Sequence, residues 1–203
     1  MLNLGFQPST ADSSLFIYRE GPIIAFLLLY VDDIVLTGNN SSFLTQLIHN
    51  LSKVSELKDM GTLSYFLGLQ MPRSAKGLTV TQTKYATDLL TKHNMVHCSP
   101  CKTPCVPNVR LSATCGQSLI DVHAYRSLVG ALHYLTFTRP NISFAIHQVC
   151  QFMNAPTDIH LTAAKRLLRY IRGTLDHGLF YTLGPISLFA FSDADWAGDP
   201  NDR

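Results

Sequence analysis

Two adjacent aspartates interrupt the most apolar part of the chain. Asp32 and Asp33 lie between the apolar residues 23–31 and the apolar residues 34–36. Like charges side by side repel each other, and burying a carboxylate away from water is costly. The chain must therefore place this pair where water or a cation reaches it. A tight hairpin with the two carboxylates at its tip, at the rim of a sheet, meets this requirement.

Two interpretations of this pair follow from its chemistry. Carboxylate oxygens suit Mg²⁺, which in proteins takes one or two carboxylates together with water and phosphate oxygens. A pair at the rim of a sheet would be open to such an ion and to its phosphate ligand. Aspartate is also common in ordinary turns. The residues alone are compatible with either a metal site or an ordinary polar turn.

The composition is that of a globular chain. Its 203 residues are 46% hydrophobic and 15% charged. This is enough for one large domain or two small ones with a real core, and the chain is too apolar to be disordered. The low charge also indicates that some surface faces a neighbour. The formal net charge of +2 is too small by itself to identify a nucleic-acid binder.

The spacing of apolar residues predicts a mixed chain of the α+β class. The predicted strands cover residues 14–18, 23–30, 34–37, 178–183 and 187–191, with a further hairpin formed by residues 62–71 and 78–81 around residues 74–77. The predicted helices cover residues 43–51, 83–94, 121–137, 141–153 and 157–172. Ser41 or Ser42 is the predicted cap of the first helix. Residues 98–117 contain three prolines and no periodicity, which predicts an irregular linker.

Four cysteines lie in this linker, at positions Cys98, Cys101, Cys105 and Cys115. Short cysteine spacings of this kind occur in zinc sites, and His93 and His97 lie nearby. The spacing from Cys101 to Cys105, with a proline before each, is not that of a standard zinc knuckle. Free thiols are the alternative to a structural zinc site.

The predicted helix 157–172 carries a basic patch formed by Lys165, Arg166, Arg169 and Arg172. Residues 165, 169 and 172 share one face of the helix. The patch could contact the phosphates of a nucleic acid. It could also be the solvated outer face of an amphipathic helix whose inner face holds Leu167, Leu168 and Ile171.

The sequence indicates an intracellular protein. No basic stretch followed by an apolar core opens it, and residues 23–31, its longest apolar run, are too short to cross a bilayer. We therefore expect a non-secreted protein without membrane contact, in the cytoplasm or the nucleus, with reduced thiols. Residues 1–6 look like the tail of a helix, and a new strand is predicted shortly before the C-terminus. We expect the chain to be a fragment.

An ordered series of motifs carries a family resemblance. Residues 30–33, YVDD, match the Y-x-D-D box of reverse transcriptases. The segments that follow in order are LKDMG at 57–61, YFLGL at 65–69, YRSLVGAL at 125–132, TRPNI at 138–142, the stretch 160–174 and FSDADWAG at 191–198. Together they cover almost the whole chain, which resembles the Ty1/copia-type reverse transcriptases of retrotransposon polyproteins. Similar fragments occur in plant nuclear and mitochondrial genomes, so mitochondria stay open as a compartment.

This resemblance implies a division of the chain into four parts. Residues 1–72 resemble the C-terminal part of a polymerase palm, residues 73–115 a thumb-like segment and linker, residues 116–176 the helical connection, and residues 177–203 the truncated start of a ribonuclease H-like domain. The implied α+β fold is a partial palm sheet with helices, a helical thumb and connection, and the first β-hairpin of the ribonuclease H-like domain.

The resemblance also implies roles for single residues. Asp32 and Asp33 resemble two of the polymerase aspartates that hold Mg²⁺ or Mn²⁺, with Asp32 the more direct ligand. Lys58 stands where the family has a lysine near the incoming nucleotide, where it could neutralise the leaving pyrophosphate; the alternative is a solvated lysine at a helix end. The segment formed by Phe66, Leu67 and Gly68 resembles the family's primer grip, a turn that packs against the primer end. Phe66 and Leu67 could equally be core residues of a strand.

The resemblance leaves both metal sites incomplete. The remaining palm aspartate of the family lies upstream of residues 2–6 in an F-D-V-like box, and Asp12 belongs to a different segment, D-x-S-L-F. At the other end, Asp193 resembles the first metal-binding aspartate of ribonuclease H, whose other carboxylates would lie beyond Arg203. We expect little or no polymerase activity from this chain alone, because a two-metal site then lacks a ligand.

The implied partners are an RNA or DNA primer–template, deoxynucleoside triphosphates and the upstream part of the polyprotein. Exposed apolar edges would make the isolated chain poorly soluble or dependent on a partner chain. The alternative function is non-enzymatic: a decayed retroelement product that is inert or binds nucleic acid weakly.

Overall fold

A computed structural model describes residues 4–54, 56–185 and 187–192. The chain divides into two compact units, Met1–Leu63 and Ser64–Arg203. Helices and small antiparallel sheets make up the described residues, which confirms a mixed α and β chain. Within this part of the chain, no helix is both long and apolar enough to cross a membrane.

The first unit contains a four-stranded antiparallel sheet and one helix. Its strands, in order across the sheet, are β1 (Gln7–Pro8), β2 (Leu15–Glu20), β3 (Ile23–Tyr30) and β4 (Asp33–Gly38), and helix α1 (Ser41–Val54) follows. Side chains alternate between the two faces of a strand. Ala25 and Leu27 of β3 are therefore buried together, and they form a core with Phe6 and with Leu47 of α1. The three predicted strands of this unit are confirmed.

Asn40 caps helix α1. Its side-chain Oδ1 accepts a hydrogen bond from the backbone N–H of Phe43 at 3.0 Å, the usual role of an asparagine before the first helical residue. The predicted cap at Ser41 or Ser42 is wrong, because both serines are already helical.

The second unit contains most of the helices. They are α2 (Thr83–Lys92), α3 (Val122–Tyr134), α4 (Ser143–Cys150) and α5 (Asp158–Arg172), and two 3₁₀ turns, Leu135–Phe137 and Pro140–Ile142, connect α3 to α4. Their apolar faces share one core. Ala164, Leu167, Leu168 and Ile171 of α5 are buried in it, at the spacing expected for one helix face. The predicted helices and the irregular linker over residues 98–117 are confirmed.

The strands of the second unit are short. β5 (Tyr65–Phe66) pairs with β6 (Leu69–Gln70), and a second sheet has the order β7 (Arg73–Ser74), β8 (Gly77–Val80), β9 (Leu179–Tyr181). The single hairpin predicted over residues 62–81 is therefore two hairpins, linked by one bridge between Gln70 and Thr81. The predicted turn at residues 74–77 is confirmed, since Ser74 pairs with Gly77.

The last predicted strand, over residues 187–191, is wrong. Its described residues form no strand, and Leu188 and Phe191 are 94% and 96% exposed. β9 stands at the edge of its sheet, paired with β8, and no described strand pairs with its other edge. The hairpin expected between residues 178–183 and 187–191 is therefore not formed.

Arg139 is buried at the corner between α3 and α4, with 4% of its surface exposed. Its Nη1 and Nη2 atoms donate to the carbonyl oxygen and the Oγ1 of Thr174 at 2.9 and 2.8 Å, and its Nε donates to Oδ1 of Asn141 at 3.3 Å. Burial lowers the pKa of Arg139, while Tyr170 and Asp176 act in the opposite direction. The side chain thus ties this corner to the segment that follows α5.

Replacing this side chain should destabilise the second unit. Arg139→Met removes three charge-assisted hydrogen bonds but keeps most of the apolar length, so we expect the free energy of unfolding to fall by about 1–3 kcal/mol. Urea denaturation followed by circular dichroism measures this change. Arg110→Met, at an exposed position, is the matched control. Equal stability of the two variants would show that the Arg139 contacts contribute nothing.

Candidate functional site

The two aspartates stand at the tip of a two-residue hairpin. Tyr30 pairs with Asp33 as the last pair of β3 and β4, so Val31 and Asp32 alone form the turn. Asp32 and Asp33 are both exposed. The structure thus confirms the predicted hairpin, and water at the tip relieves the repulsion that burial would make costly.

The turn holds Val31 in a conformation that valine rarely adopts. Its φ angle is +51°, in the left-handed region, where a β-branched residue is a clear outlier. Two-residue hairpin turns require positive φ at their first central residue, and glycine usually fills that position. Such backbone strain costs of the order of 1–3 kcal/mol. The surrounding sheet must therefore hold the tip in place.

Described carboxylates do not gather around this pair. Among the residues that the structure describes, no group of three or more histidine, cysteine, aspartate and glutamate side chains is placed to hold a metal ion. Asp12 is engaged locally, since its Oδ1 accepts the N–H of Ser14 at 2.8 Å. The predicted metal ligand Asp193 lies outside the described residues.

Lys58 is an exposed residue of the loop that follows α1. The helix ends at Val54, so the alternative interpretation of Lys58 as a helix-end residue is wrong, although the side chain is solvated. The neighbouring Asp59 accepts the N–H of Gly61 at 2.8 Å. This contact shapes the loop beside the exposed Lys58.

Residues 65–70 form a second tight hairpin, here called the grip turn. Its two-residue loop is Leu67 and Gly68, with φ angles of +49° and +80°. Leu67 is 40% exposed, so the alternative that Leu67 is a core residue is wrong. Phe66 is half-buried. The loop therefore exposes the side chain of Leu67 to solvent, where a ligand could contact it.

Tyr134 anchors the grip turn. Its hydroxyl, at the C-terminal end of α3, donates to the carbonyl oxygen of Leu67 at 2.5 Å. A Cβ atom at Gly68 would lie 3.4 Å from that hydroxyl, an ordinary van der Waals contact, so it is the positive φ that favours glycine there. The ring of Tyr134 also packs edge-on against Tyr85, with centroids 4.9 Å apart. The sequence gives no local signal for this anchor, because Leu67 and Tyr134 are far apart along the chain.

The arginines of the basic patch hold the irregular segment that precedes α3. Arg166 donates to Oγ1 of Thr103 at 2.7 Å. Arg169 and Arg172 donate from Nε to the carbonyl oxygens of Ser99 and Val96, at 2.8 and 2.5 Å. The three arginines, spaced three residues apart, thus bind acceptors that run in the opposite direction along the chain. Sequence reasoning missed this role.

The patch keeps donors for other partners. Lys165 is exposed, and the three arginines are half-buried. A guanidinium has five N–H donors, so each arginine has more donors than its bond to the segment uses, although the Nε of Arg166 is buried without a partner. Phosphate binding by the patch stays a prediction.

Among the residues that the structure describes, no linker cysteine belongs to a group of three or more side chains placed to hold a metal ion. The Sγ of Cys101 lies 3.3 Å from the carbonyl oxygen of Thr103 and 3.4 Å from that of Arg166. The thiol is thus a hydrogen-bond donor that helps to fix this segment on α5.

Glycine at position 31 should stabilise the hairpin tip. Val31→Gly relieves strain of the order of 1–3 kcal/mol, which exceeds the roughly 0.4–1 kcal/mol gained by the more flexible unfolded chain. We expect the free energy of unfolding to rise by about 1 kcal/mol in urea denaturation. Thr37→Gly, at an exposed position of β4 with ordinary backbone angles, should lower it. A loss of stability in Val31→Gly would contradict the strain.

Comparison with known proteins places these features in a family. The family model "Reverse transcriptase (RNA-dependent DNA polymerase)" matches residues 1–107. The chain is 46% identical over 203 residues to the retrovirus-related Pol polyprotein from transposon RE1 of Arabidopsis thaliana, and the match covers all of this chain but 14% of that polyprotein. No solved structure matches the chain.

Two further relatives extend this finding. An uncharacterized mitochondrial protein of Arabidopsis thaliana is 44% identical over 179 residues, which cover 88% of this chain and 74% of that protein. The Pol polyprotein from transposon TNT 1-94 of Nicotiana tabacum is 33% identical over 186 residues, 87% of this chain and 14% of the polyprotein. The chain thus spans about one seventh of the polyproteins it matches. It belongs to the reverse transcriptase family, and within that family to the Ty1/copia type.

Proposed function

We propose that the chain is the C-terminal part of a Ty1/copia-type RNA-directed DNA polymerase, followed by the start of its ribonuclease H-like domain. The observation that carries the proposal is the exposed Asp32–Asp33 pair at a hairpin tip, in a chain of the reverse transcriptase family. Residues 1–72 would belong to the palm, 73–115 to the thumb and linker, 116–176 to the connection and 177–203 to the ribonuclease H-like domain.

The donor set at the hairpin tip fits Mg²⁺ or Mn²⁺. Both carboxylates are exposed, and Mg²⁺ binds proteins through one or two carboxylates with water and substrate phosphates completing its shell. When bound, such ions activate an attacking hydroxyl and stabilise the leaving oxygen in phosphoryl transfer. Asp32 and Asp33 would hold them, and Asp193 would take the equivalent role in the ribonuclease H-like domain.

Other residues of the chain would bind the substrates. The exposed ammonium of Lys58 would offset negative charge on the triphosphate of the incoming nucleotide. The grip turn would contact the primer end through the outward-facing Leu67. The basic patch would contact backbone phosphates through Lys165 and the unused donors of its arginines.

The polymerase would be complete only with the upstream part of the polyprotein. Asp32 lies in the turn and Asp33 begins β4. Two carboxylates alone do not complete a site for two metal ions, so another element would have to supply a further carboxylate. Among the described strands, β4 pairs on one side only, with β3. Its other edge begins at Asp33, and an upstream strand added there would bring a third carboxylate beside the pair.

Primer extension tests this proposal. With primer–template, deoxynucleoside triphosphates and Mg²⁺ or Mn²⁺, we expect the chain alone to incorporate no nucleotides. A version that continues upstream through the F-D-V-like box should incorporate them, and Asp32→Asn in that version should lower the rate at least about a hundredfold, since it removes a metal ligand.

Asp88→Asn is the matched control for primer extension, because Asp88 is an exposed acid on α2. It should leave the rate unchanged. Incorporation by the chain alone that Asp32→Asn abolishes would contradict its inactivity. Full activity of Asp32→Asn in the longer version would overturn the metal site itself.

The alternative function is a decayed retroelement product that binds nucleic acid without catalysis. The exposed Lys165 beside three arginines favours a binding activity.

Binding to a duplex should weaken as the salt concentration rises, because lysine and arginine side chains that bind phosphates release counterions from the DNA. In fluorescence anisotropy, Lys165→Gln should reduce the slope of log affinity against log salt by about 1, and Lys76→Gln in the β7–β8 turn should leave it unchanged. Duplex binding with an unaltered slope would exclude Lys165 from the interface.

A further inference from the structure

Four exposed rings cluster where α3 ends and α4 begins. They are here called the ring patch, and they are His133, Phe137, Phe144 and His147. The imidazole rings of His133 and His147 have centroids 6.1 Å apart, which joins the two helices. Each phenylalanine lies about one helical turn from one of these histidines. Phe137 and Phe144 are 70% and 66% exposed, an unusual exposure for such large apolar side chains.

The ring patch is held in place from one side. The ring of Phe137 packs edge-on against Tyr134, with centroids 5.6 Å apart and planes at 64°. Tyr134 is fixed in turn by its ring contact with Tyr85 and by its hydrogen bond to Leu67. The same tyrosine therefore positions both the grip turn and the ring patch. Edge-on packing leaves a face of the Phe137 ring available.

The segment that carries the ring patch favours an anionic partner. Residues 122–157 contain no aspartate or glutamate, whereas Arg126 among them is exposed. A polyanion at this surface meets no carboxylate from this segment.

We propose that the ring patch is a stacking surface for the bases of single-stranded nucleic acid, continuing from the grip turn through Tyr134. This inference rests on the proposed function and adds to it the surface that receives unpaired bases. Exposed aromatic rings stack on successive bases whatever their sequence, since every base has a π-face. The basic patch of α5 would contact phosphates, so the two surfaces would recognise different parts of the strand.

The test uses an oligodeoxynucleotide that carries 2-aminopurine, whose fluorescence falls when it stacks on a ring. The double variant Phe137→Leu and Phe144→Leu keeps apolar side chains but removes both rings. We expect it to bind the single strand about tenfold more weakly than the wild type and to lose the quenching. Its salt slope should stay unchanged, because no phosphate contact is lost. Phe180→Leu, on β9 and 54% exposed, should behave as the wild type.

The outcomes separate this inference from the proposed function. Single-strand binding and quenching that the double variant retains would overturn the stacking surface and leave the polymerase assignment untouched. If the wild type binds no single strand, the stacking surface is wrong, while duplex binding through the basic patch is judged by its own experiment. Hydroxyl-radical footprinting of the version extended upstream gives the third outcome: protection of Phe137 and Phe144 without nucleic acid would identify a covering protein segment and overturn the proposal.

Discussion

Repulsion between two adjacent carboxylates governs the first unit. Asp32 and Asp33 must stay in water, while Ala25 and Leu27 on the same hairpin are completely buried. A short turn separates these two environments within a few residues of chain. The turn has two residues, and its geometry forces Val31 to a φ angle of +51°. The exposure of the aspartates and the strain of the valine therefore have one cause, and the register of β3 with β4 maintains both.

The second unit depends on hydrogen bonds between the arginines of α5 and an irregular segment of the chain. Residues 96–103 form no helix or strand, yet their backbone oxygens need hydrogen-bond partners wherever they are covered. The arginines of α5 supply these partners to the carbonyl oxygens of Val96 and Ser99, and Arg166 also donates to the side-chain hydroxyl of Thr103. A guanidinium can do this and still present other donors outward. One set of side chains can therefore fix a loop and offer positive charge to a ligand.

Local patterns in the sequence were sufficient to predict the hairpin of the aspartates and the helices, because apolar periodicity reports which face of an element is buried. The cap of α1 was missed because asparagine and serine both suit a cap, and both occur at neighbouring positions. Asn40 is the cap because the first helical residue is Ser41. The strand over residues 187–191 was predicted from its pattern, but a strand also needs a partner, which a local pattern does not reveal. The anchoring of Leu67 by Tyr134 is likewise a contact between distant parts of the chain.

Charge is divided between the two units in a way that the whole-chain value conceals. The first unit contains six acidic and three basic side chains, and the second contains eight acidic and thirteen basic ones. A net charge of +2 therefore gives no measure of what either unit attracts. An acidic unit with an exposed carboxylate pair suits cations, whereas a basic unit with exposed rings suits a polyanion. The charge of each unit, taken separately, is in line with the proposals that Asp32 and Asp33 hold metal ions in the first unit and that the basic patch contacts phosphates in the second.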